Sequence, residues 1–296
     1  MYLEHDLYNI DKKLLIKSGE NITGSALQRI IENYGEKIRY LKIKNSFLLK
    51  DIKLSFAVAR YKIIFSPESI NKKMLSLIQN CRLPEKVIAE LKNIKRIEPY
   101  TYKHILATAL IAAKVSMDKK LKNRYDPKMV VRLGFVHDIG KSRIPANILN
   151  KGTPLTRSER KILKTHCLLG YLLLRHYYGK DHTRYDYASY EHHERLDGSG
   201  YPRGLKKINK YAQLLAVIDV LDALTSIRPY RATPYSLRAA FDYLLDEAQK
   251  KKLNKKIIYI LISYARKDKS KFRQLKVSGK KRDAPPPDNV YGKTAL

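Results

Sequence analysis

Cysteine is almost missing from this chain of 296 residues. Cys81 and Cys167 are the only two, too few for a disulfide framework and in keeping with a reducing cytoplasm. No apolar run approaches the roughly 20 residues of a membrane span, and the longest candidate, Ile257 to Tyr264, falls well short. Met1 to Asp6 holds two acids and no basic stretch, so a secretory leader is not expected and the chain reads as cytoplasmic. Acidic residues are scarce as well: 28 Asp and Glu stand against 60 Lys and Arg, a formal charge of +32. Such an excess concentrates any anion, from a nucleotide to nucleic acid or an acidic membrane face. Because lysine is spread along the whole chain, the charge gives the sign of a ligand and not its identity, and nucleic acid is not the expected partner.

What is present divides the chain in three. Residues 1–85 read as a small α+β domain, regulatory or structural, because no nucleophile, phosphate loop or acidic pocket stands out there. Leu7 to Ile10 and Leu14 to Ile16, around a polar turn at Asp11-Lys12-Lys13, predict a β-hairpin, and Ala26, Leu27, Ile30, Ile31 and Tyr34 follow helical spacing up to Gly35. Ile38 to Ile43 and Leu54 to Phe65 supply further strand or helix. Residues 86–270 are helical in pattern, which makes the fold class mainly α. Residues 271–296, with Pro285-Pro286-Pro287, are expected to be a basic, disordered tail.

Within the helical part, polar residues recur where apolar ones belong. The helix after Glu98-Pro99 carries His104 among Ile105, Leu106, Ala109 and Leu110. A helix capped at Asp126 delivers His137-Asp138 to its inner end. Thr156 to Glu159 has capping-box spacing, and the helix it opens puts Ile162, His166, Leu169 and Leu173 on one stripe. His176 and His182, among Tyr, Arg and Asp, are expected on the surface. His192-His193 precede a rigid loop with Asp197-Gly198-Ser199-Gly200-Tyr201-Pro202. Asp219 and Asp222 share a face of the otherwise apolar helix from Leu214 to Thr225. Arg228-Pro229-Tyr230-Arg231 then holds two guanidiniums near that helix end, suited to phosphates or carboxylates.

A lone His-Asp pair or a lone histidine on an apolar face is ordinarily a satisfied core group. Collected, however, His104, His137, Asp138, His166, His192, His193 and Asp219 are five imidazoles and two carboxylates pointed inward. Unpaired, they would be costly to bury. With no thiolate counted among them, such a nitrogen and oxygen set suits iron or manganese, and less distinctively zinc. Seven donors exceed the needs of one ion, and a bridging Asp138 would let two ions share them, the arrangement that clamps both oxygens of a phosphoryl displacement.

The motifs His137-Asp138-Ile139-Gly140-Lys141, Lys164-Thr165-His166, His192-His193-Glu194-Arg195 with Gly200-Tyr201-Pro202, and Asp219 to Ser226 with Arg228-Pro229-Tyr230-Arg231 occur in order. Over about Tyr100 to Arg231 the chain resembles the HD-GYP family, a branch of the metal-dependent HD phosphohydrolases. The resemblance implies an HD-type helical bundle with two divalent metal ions, most often iron and alternatively manganese. It further implies hydrolysis of cyclic di-GMP to linear pGpG and/or GMP. By analogy one ion takes His104, His137 and Asp219, the other takes His166, His192 and His193, and Asp138 lies between them with a shared hydroxide as nucleophile. Lys141 would hold the scissile phosphate; Arg228 and Arg231 would contact substrate; Asp222 would orient substrate or water; Gly200 and Tyr201 would edge the pocket. The Gly200-Tyr201-Pro202 loop could also meet diguanylate cyclases, and a homodimer is compatible with the pattern.

Two departures are visible. The position one helical turn before His104, where some members place a third-metal glutamate, is Tyr100, and Glu98 falls across a proline on the wrong face, so two ions are expected. Cys167 stands where many members have proline, a packing change. Alternatives from other classes stay open: a non-catalytic receptor for cyclic di-GMP or a diguanylate cyclase, or an HD hydrolase of another nucleotide. Loss of a ligand would favour the receptor, and none is missing.

Overall fold

A computed structural model describes residues 2–265, apart from 33–36, 57, 67 and 122, together with 286. The fold is mainly α, with two small sheets. Strands β1 (Leu7–Tyr8) and β2 (Leu14–Ile16) pair antiparallel with Leu7 opposite Ile16, as the apolar-turn-apolar pattern predicts. The turn is held by Asn9, whose side-chain oxygen accepts from the amides of Asp11 and Lys13 at 3.0 and 2.8 Å. Helix α1 (Gly24–Glu32) buries Ala26, Ile30 and Ile31. The expected continuation to Tyr34 and Gly35 lies outside the described residues, as does the proposed tail at 271–296, Pro286 aside. Strand β3 (Tyr40–Lys42), helices α2 (Leu48–Phe56) and α3 (Glu68–Gln79), and strand β4 (Arg82–Pro84) follow. β4 returns to pair antiparallel with β3, Leu41 opposite Leu83.

Helix α4 (Glu85–Ile97) leads into α5 (Pro99–Ser116), the centre of the molecule. Pro99 needs no partner for an amide hydrogen it lacks, and the Glu98 carboxylate accepts from the amides of Tyr100 and Thr101, so the helix start is satisfied twice. From Thr101 onward, all but one residue of α5 is buried. A helix apolar on every side must be wrapped by others. Those neighbours include α4, α6 (Pro127–Val136, capped by Asp126), α11 (Lys210–Thr225) and α13 (Lys255–Ala265). Helix α7 (Ala146–Leu149), α8 (Arg157–Lys164), α9 (His166–Tyr178), α10 (Asp186–Glu191) and α12 (Leu237–Gln249) complete the bundle. No helix among the described residues is long and apolar enough to cross a membrane.

The single helix expected from Thr156 is two. The capping box forms, with Thr156 and Glu159 each bonded to the other's amide, but the chain bends at Thr165, and α8 ends before α9 begins at His166. The break starts α9 at the buried His166. His176 and His182 are not on the surface: they are 2% and 8% exposed. Polar neighbours in sequence misled here, because the front of the chain covers the back of α9. The His176 ring meets the Asn9 side chain at 3.1 Å and the Ile30 carbonyl at 3.2 Å, while His182 donates from Nδ1 to the Gly179 carbonyl at 2.7 Å. The hydrophobic core accordingly runs without interruption from Leu3 to Leu261.

Candidate metal centre

Five segments deliver the inward polar residues to one place, His166 coming from the start of α9. Helix α6 ends at Val136, and His137 and Asp138 lead into a 3₁₀ turn, Ile139–Arg143, that packs against α9. Gly140 permits this contact: a Cβ there would overlap the His166 carbonyl and the Gly170 amide. His104 comes from α5, Asp219 and Asp222 from α11, and His192 and His193 from the turn after α10. All but His193 are less than a tenth exposed.

The imidazoles are aimed by their outer nitrogens. His137 Nδ1 donates to the Gly134 carbonyl at 2.8 Å, His166 Nδ1 to Leu163 at 2.7 Å, and His192 Nδ1 to Ser189 at 2.9 Å. His104 Nδ1 donates to Asp222 Oδ2 at 2.6 Å. With Nδ1 carrying the proton, each Nε2 presents a lone pair. These lone pairs converge in two groups. In the first, His104 Nε2 lies 3.4 Å from His137 Nε2 and 2.9 Å from Asp219 Oδ1. In the second, His166 Nε2 and His192 Nε2 are 3.4 Å apart, with His193 beside them.

Asp138 stands between the groups. Its Oδ2 is 3.5 Å from both His104 and His137 Nε2, and its Oδ1 is 3.4 Å from His166 and 3.6 Å from His192 Nε2. Oδ1 is fully buried and accepts no hydrogen bond among the described residues. Facing acceptors with a carboxylate oxygen for each group repel one another unless cations lie among them. About 3.4 Å is also the edge expected between two nitrogens 2.0–2.1 Å from a tetrahedral ion. The donor set therefore fits two divalent metal ions.

The electrostatics agree. Burial pushes His137 down to about 4 and His166 down to about 3, against the pull of the Asp138 charge, so both rings stay neutral. Burial likewise holds His193 well below the usual range, with His192 adding to it. Burial alone would raise Asp138, but Lys141 and His137 hold it well below a normal carboxylate. Burial works against a charged His104, and without metal the bonds to Asp219 and Asp222 overcome it; an ion at this position would take the place of the proton between Nε2 and Asp219.

Lys141 Nζ donates to Asp138 Oδ2 at 2.7 Å and lies on the wall of a cleft of about 310 Å³. His104, His166, His193, Asp219, Tyr201 and Arg228 also line it. The Tyr201 ring stacks on His193 at 4.7 Å, with Lys164 Nζ 4.9 Å from its centre.

Four expectations need correction. Arg231 does not reach the cleft: it is 1% exposed and donates to the carbonyls of Ala223 and Ser226, closing the end of α11. Asp222 is wholly buried behind His104 and cannot touch a substrate; it orients the imidazole. Gly200 does not line the cleft, and its lack of a Cβ lets the loop lie against the backbone of Glu194 and Arg195. Glu98 does line the cleft, contrary to the face inferred for it, although its carboxylate caps α5.

Other contributors went unnoticed in the sequence. Glu194, 1% exposed, accepts from the amides of Arg203 and Leu205 at 2.8 and 2.9 Å and so fixes the Gly200-Tyr201-Pro202 loop. Tyr61 and Arg60 reach Asp222 Oδ1 from the front of the chain, at 2.5 and 3.2 Å. Glutamate after a His-His pair was a visible signal; nothing in the sequence of Arg60-Tyr61 pointed to Asp222. The Cys167 sulfur joins the second group, 3.5 Å from His166 Nε2.

Comparison with known proteins agrees with this geometry. Residues 107–257, half of the chain, match the HD domain family. A 3'3'-cGAMP-specific phosphodiesterase of Vibrio cholerae is 32% identical over 55% of this chain and 37% of its own length. A cyclic di-GMP phosphodiesterase response regulator of Xanthomonas campestris is 41% identical over 37% of this chain and 29% of its own. A cyclic di-GMP phosphodiesterase of Pseudomonas aeruginosa is 36% identical over 49% of this chain and 35% of its own. The chain spans about a third of the length of these curated relatives. It belongs to the HD domain family and, by its ordered motifs, to the HD-GYP branch of that family.

Proposed function

We propose that the chain is a metal-dependent phosphodiesterase that opens cyclic di-GMP to linear pGpG and/or GMP. One observation carries this: the two oxygens of the buried Asp138 face two separate donor groups, each of which contributes residues to the lining of a basic cleft. His104, His137 and Asp219 would hold one ion and His166, His192 and His193 the other, with Asp138 shared. Iron is the favoured metal and manganese the alternative. When bound, the ions supply Lewis acidity toward the phosphate and activation of the attacking water.

The chain's own residues do the rest. A cyclic dinucleotide carries two phosphates, and Lys151, Arg160, Lys164 and Arg195 around the cleft draw that anion in. Lys141 Nζ, already on Asp138, is placed to hold a non-bridging oxygen of the scissile phosphate and to stabilise its growing charge. Arg228, 3.8 Å from Asp222, adds a buried guanidinium to that wall. Tyr201 offers a ring face beside the reacting phosphate. The cleft is at the small end for a ligand pocket, so one phosphodiester enters while the rest of the dinucleotide lies along the rim. The exposed Pro202 and Arg203 are where a diguanylate cyclase would dock, and a chain with two buried free cysteines suits a reducing cytoplasm as the place of the reaction.

The similarity to a cGAMP-specific relative favours a second reading, hydrolysis of the mixed dinucleotide. The deciding experiment purifies the chain anaerobically with iron or manganese and supplies cyclic di-GMP, 3'3'-cGAMP and cyclic di-AMP in parallel. Linear product from cyclic di-GMP is expected, and Asp138→Ala should abolish it. Preference for cGAMP would move the assignment to the second reading, and tight binding with no product from any of the three would leave a receptor.

A further inference from the structure

Cys167 was no part of the donor set inferred from sequence. The structure places it there. It is fully buried, it follows His166 in the first turn of α9, and its sulfur shares a compact group with the ligand nitrogens of His166, His192 and His193. The Sγ to His166 Nε2 separation is 3.5 Å. For a tetrahedral ion with nitrogen at 2.0–2.1 Å and sulfur at about 2.3 Å, that edge should be about 3.5 Å. In the same group, the His166 to His192 Nε2 edge of 3.4 Å has the length of a nitrogen–nitrogen edge. An independent sign of a cation here is Asp138 Oδ1, buried, aimed at His166 and His192, and accepting no hydrogen bond.

We propose that Cys167 Sγ is a protein ligand of the ion held by His166, His192 and His193, which makes that position a three-nitrogen, one-sulfur site with the shared Asp138 oxygen adjoining. This rests on the reading of two metal positions given above. The sulfur binds as thiolate, its proton passing to solvent as the metal–sulfur bond forms. The chemical consequence is asymmetry. The position of His104, His137 and Asp219 has only nitrogen and oxygen donors, whereas a soft thiolate turns the other toward iron(II), cobalt(II) or zinc and away from manganese. The other cysteine supplies the control: Cys81 is also buried, but its sulfur belongs to neither donor group.

The test strips the full chain of metal under argon, restores it with cobalt(II) chloride, and reads bound metal, the near-ultraviolet sulfur-to-cobalt charge-transfer absorption and the cobalt X-ray absorption spectrum. Two ions per chain, the charge-transfer band and a sulfur scatterer at about 2.3 Å are expected. Cys167→Ser should abolish the band and weaken one ion about tenfold or more, and Cys81→Ser should keep both. Two bound ions with only nitrogen and oxygen scatterers would overturn the thiolate ligand while leaving the metal positions intact. Failure to bind any ion would overturn both, and because the natural chain is measured directly, a poorly folding Cys167 variant does not blunt the result.

Discussion

Replacing Asp222 by asparagine should weaken one of the two metal positions and spare the other. The carboxylate accepts from His104 Nδ1 at 2.6 Å and Ser226 Oγ at 2.9 Å on one oxygen. On the other it accepts from the Tyr61 hydroxyl at 2.5 Å and Arg60 Nη2 at 3.2 Å. Both oxygens face donors only, so an amide cannot fit in either orientation. If its NH₂ meets His104, the ring must take its proton on Nε2, the nitrogen aimed at the metal. If it meets Tyr61 and Arg60, a guanidinium two-thirds covered by protein loses its carboxylate and keeps the Ser226 hydroxyl. Loss of such an orienting partner costs about 10- to 100-fold in metal affinity, or about 1.4–2.8 kcal/mol. His166, His192 and His193 make no hydrogen bond or ion pair with Asp222 among the described residues, and the ion proposed for them should bind as before. Titration of the metal-free Asp222→Asn chain against a calibrated chelator would resolve the two affinities. Unchanged binding at both positions, or equal weakening of both, would refute the argument. Tyr61→Phe, which leaves the His104 bond intact, should cost about 1.5–3 kcal/mol of stability with a smaller change in metal affinity.

Three further outcomes are expected. Gly140→Ala would drive a methyl into the His166 carbonyl and Gly170 amide, separating the two halves of the centre; denaturant titration should show a loss of about 3 kcal/mol. Lys141→Met should lower kcat about 100-fold or more, since a donor to the developing charge is gone, and steady-state kinetics with KM reported separately will show it. The metal-free protein should lose stability on acidification. His137 and His166 titrate near 6.5 when unfolded but at about 4 and about 3 when folded. Between those values the unfolded chain binds more protons, so their contribution is complete above about pH 6.5 and is lost as the pH falls toward 3. His104, raised by Asp219 and Asp222, acts in the opposite sense but is one ring against two. Urea midpoints at pH 7.5 and pH 5 check the sign.

The helices and the seven inward donors were legible because each left a local signal. Asp126-Pro127 and Thr156 to Glu159 announce helix starts, and a charged residue inside Ala216 to Leu224 is conspicuous. What escaped was set by contacts between distant segments. Arg60 and Tyr61 lie 162 and 161 positions from Asp222, and no periodicity connects them. The burial of His176 depends on Asn9 and Ile30, and the retreat of Arg231 from the cleft depends on carbonyls at the end of α11. Cys167 reads as a packing residue in the sequence because nothing there gives its sulfur a direction, which the bend at Thr165 decides.

The covering of α9 by the front of the chain bears on how this protein should be handled at the bench. A shortened version beginning at Glu85 would leave α9 without the cover of α1 and would strip Asp222 of the Tyr61 phenol and the Arg60 guanidinium. Such a fragment would be expected to precipitate or to arrive short of metal, and its inactivity would then describe the truncation rather than the proposed site. Assays belong on the whole 296-residue chain.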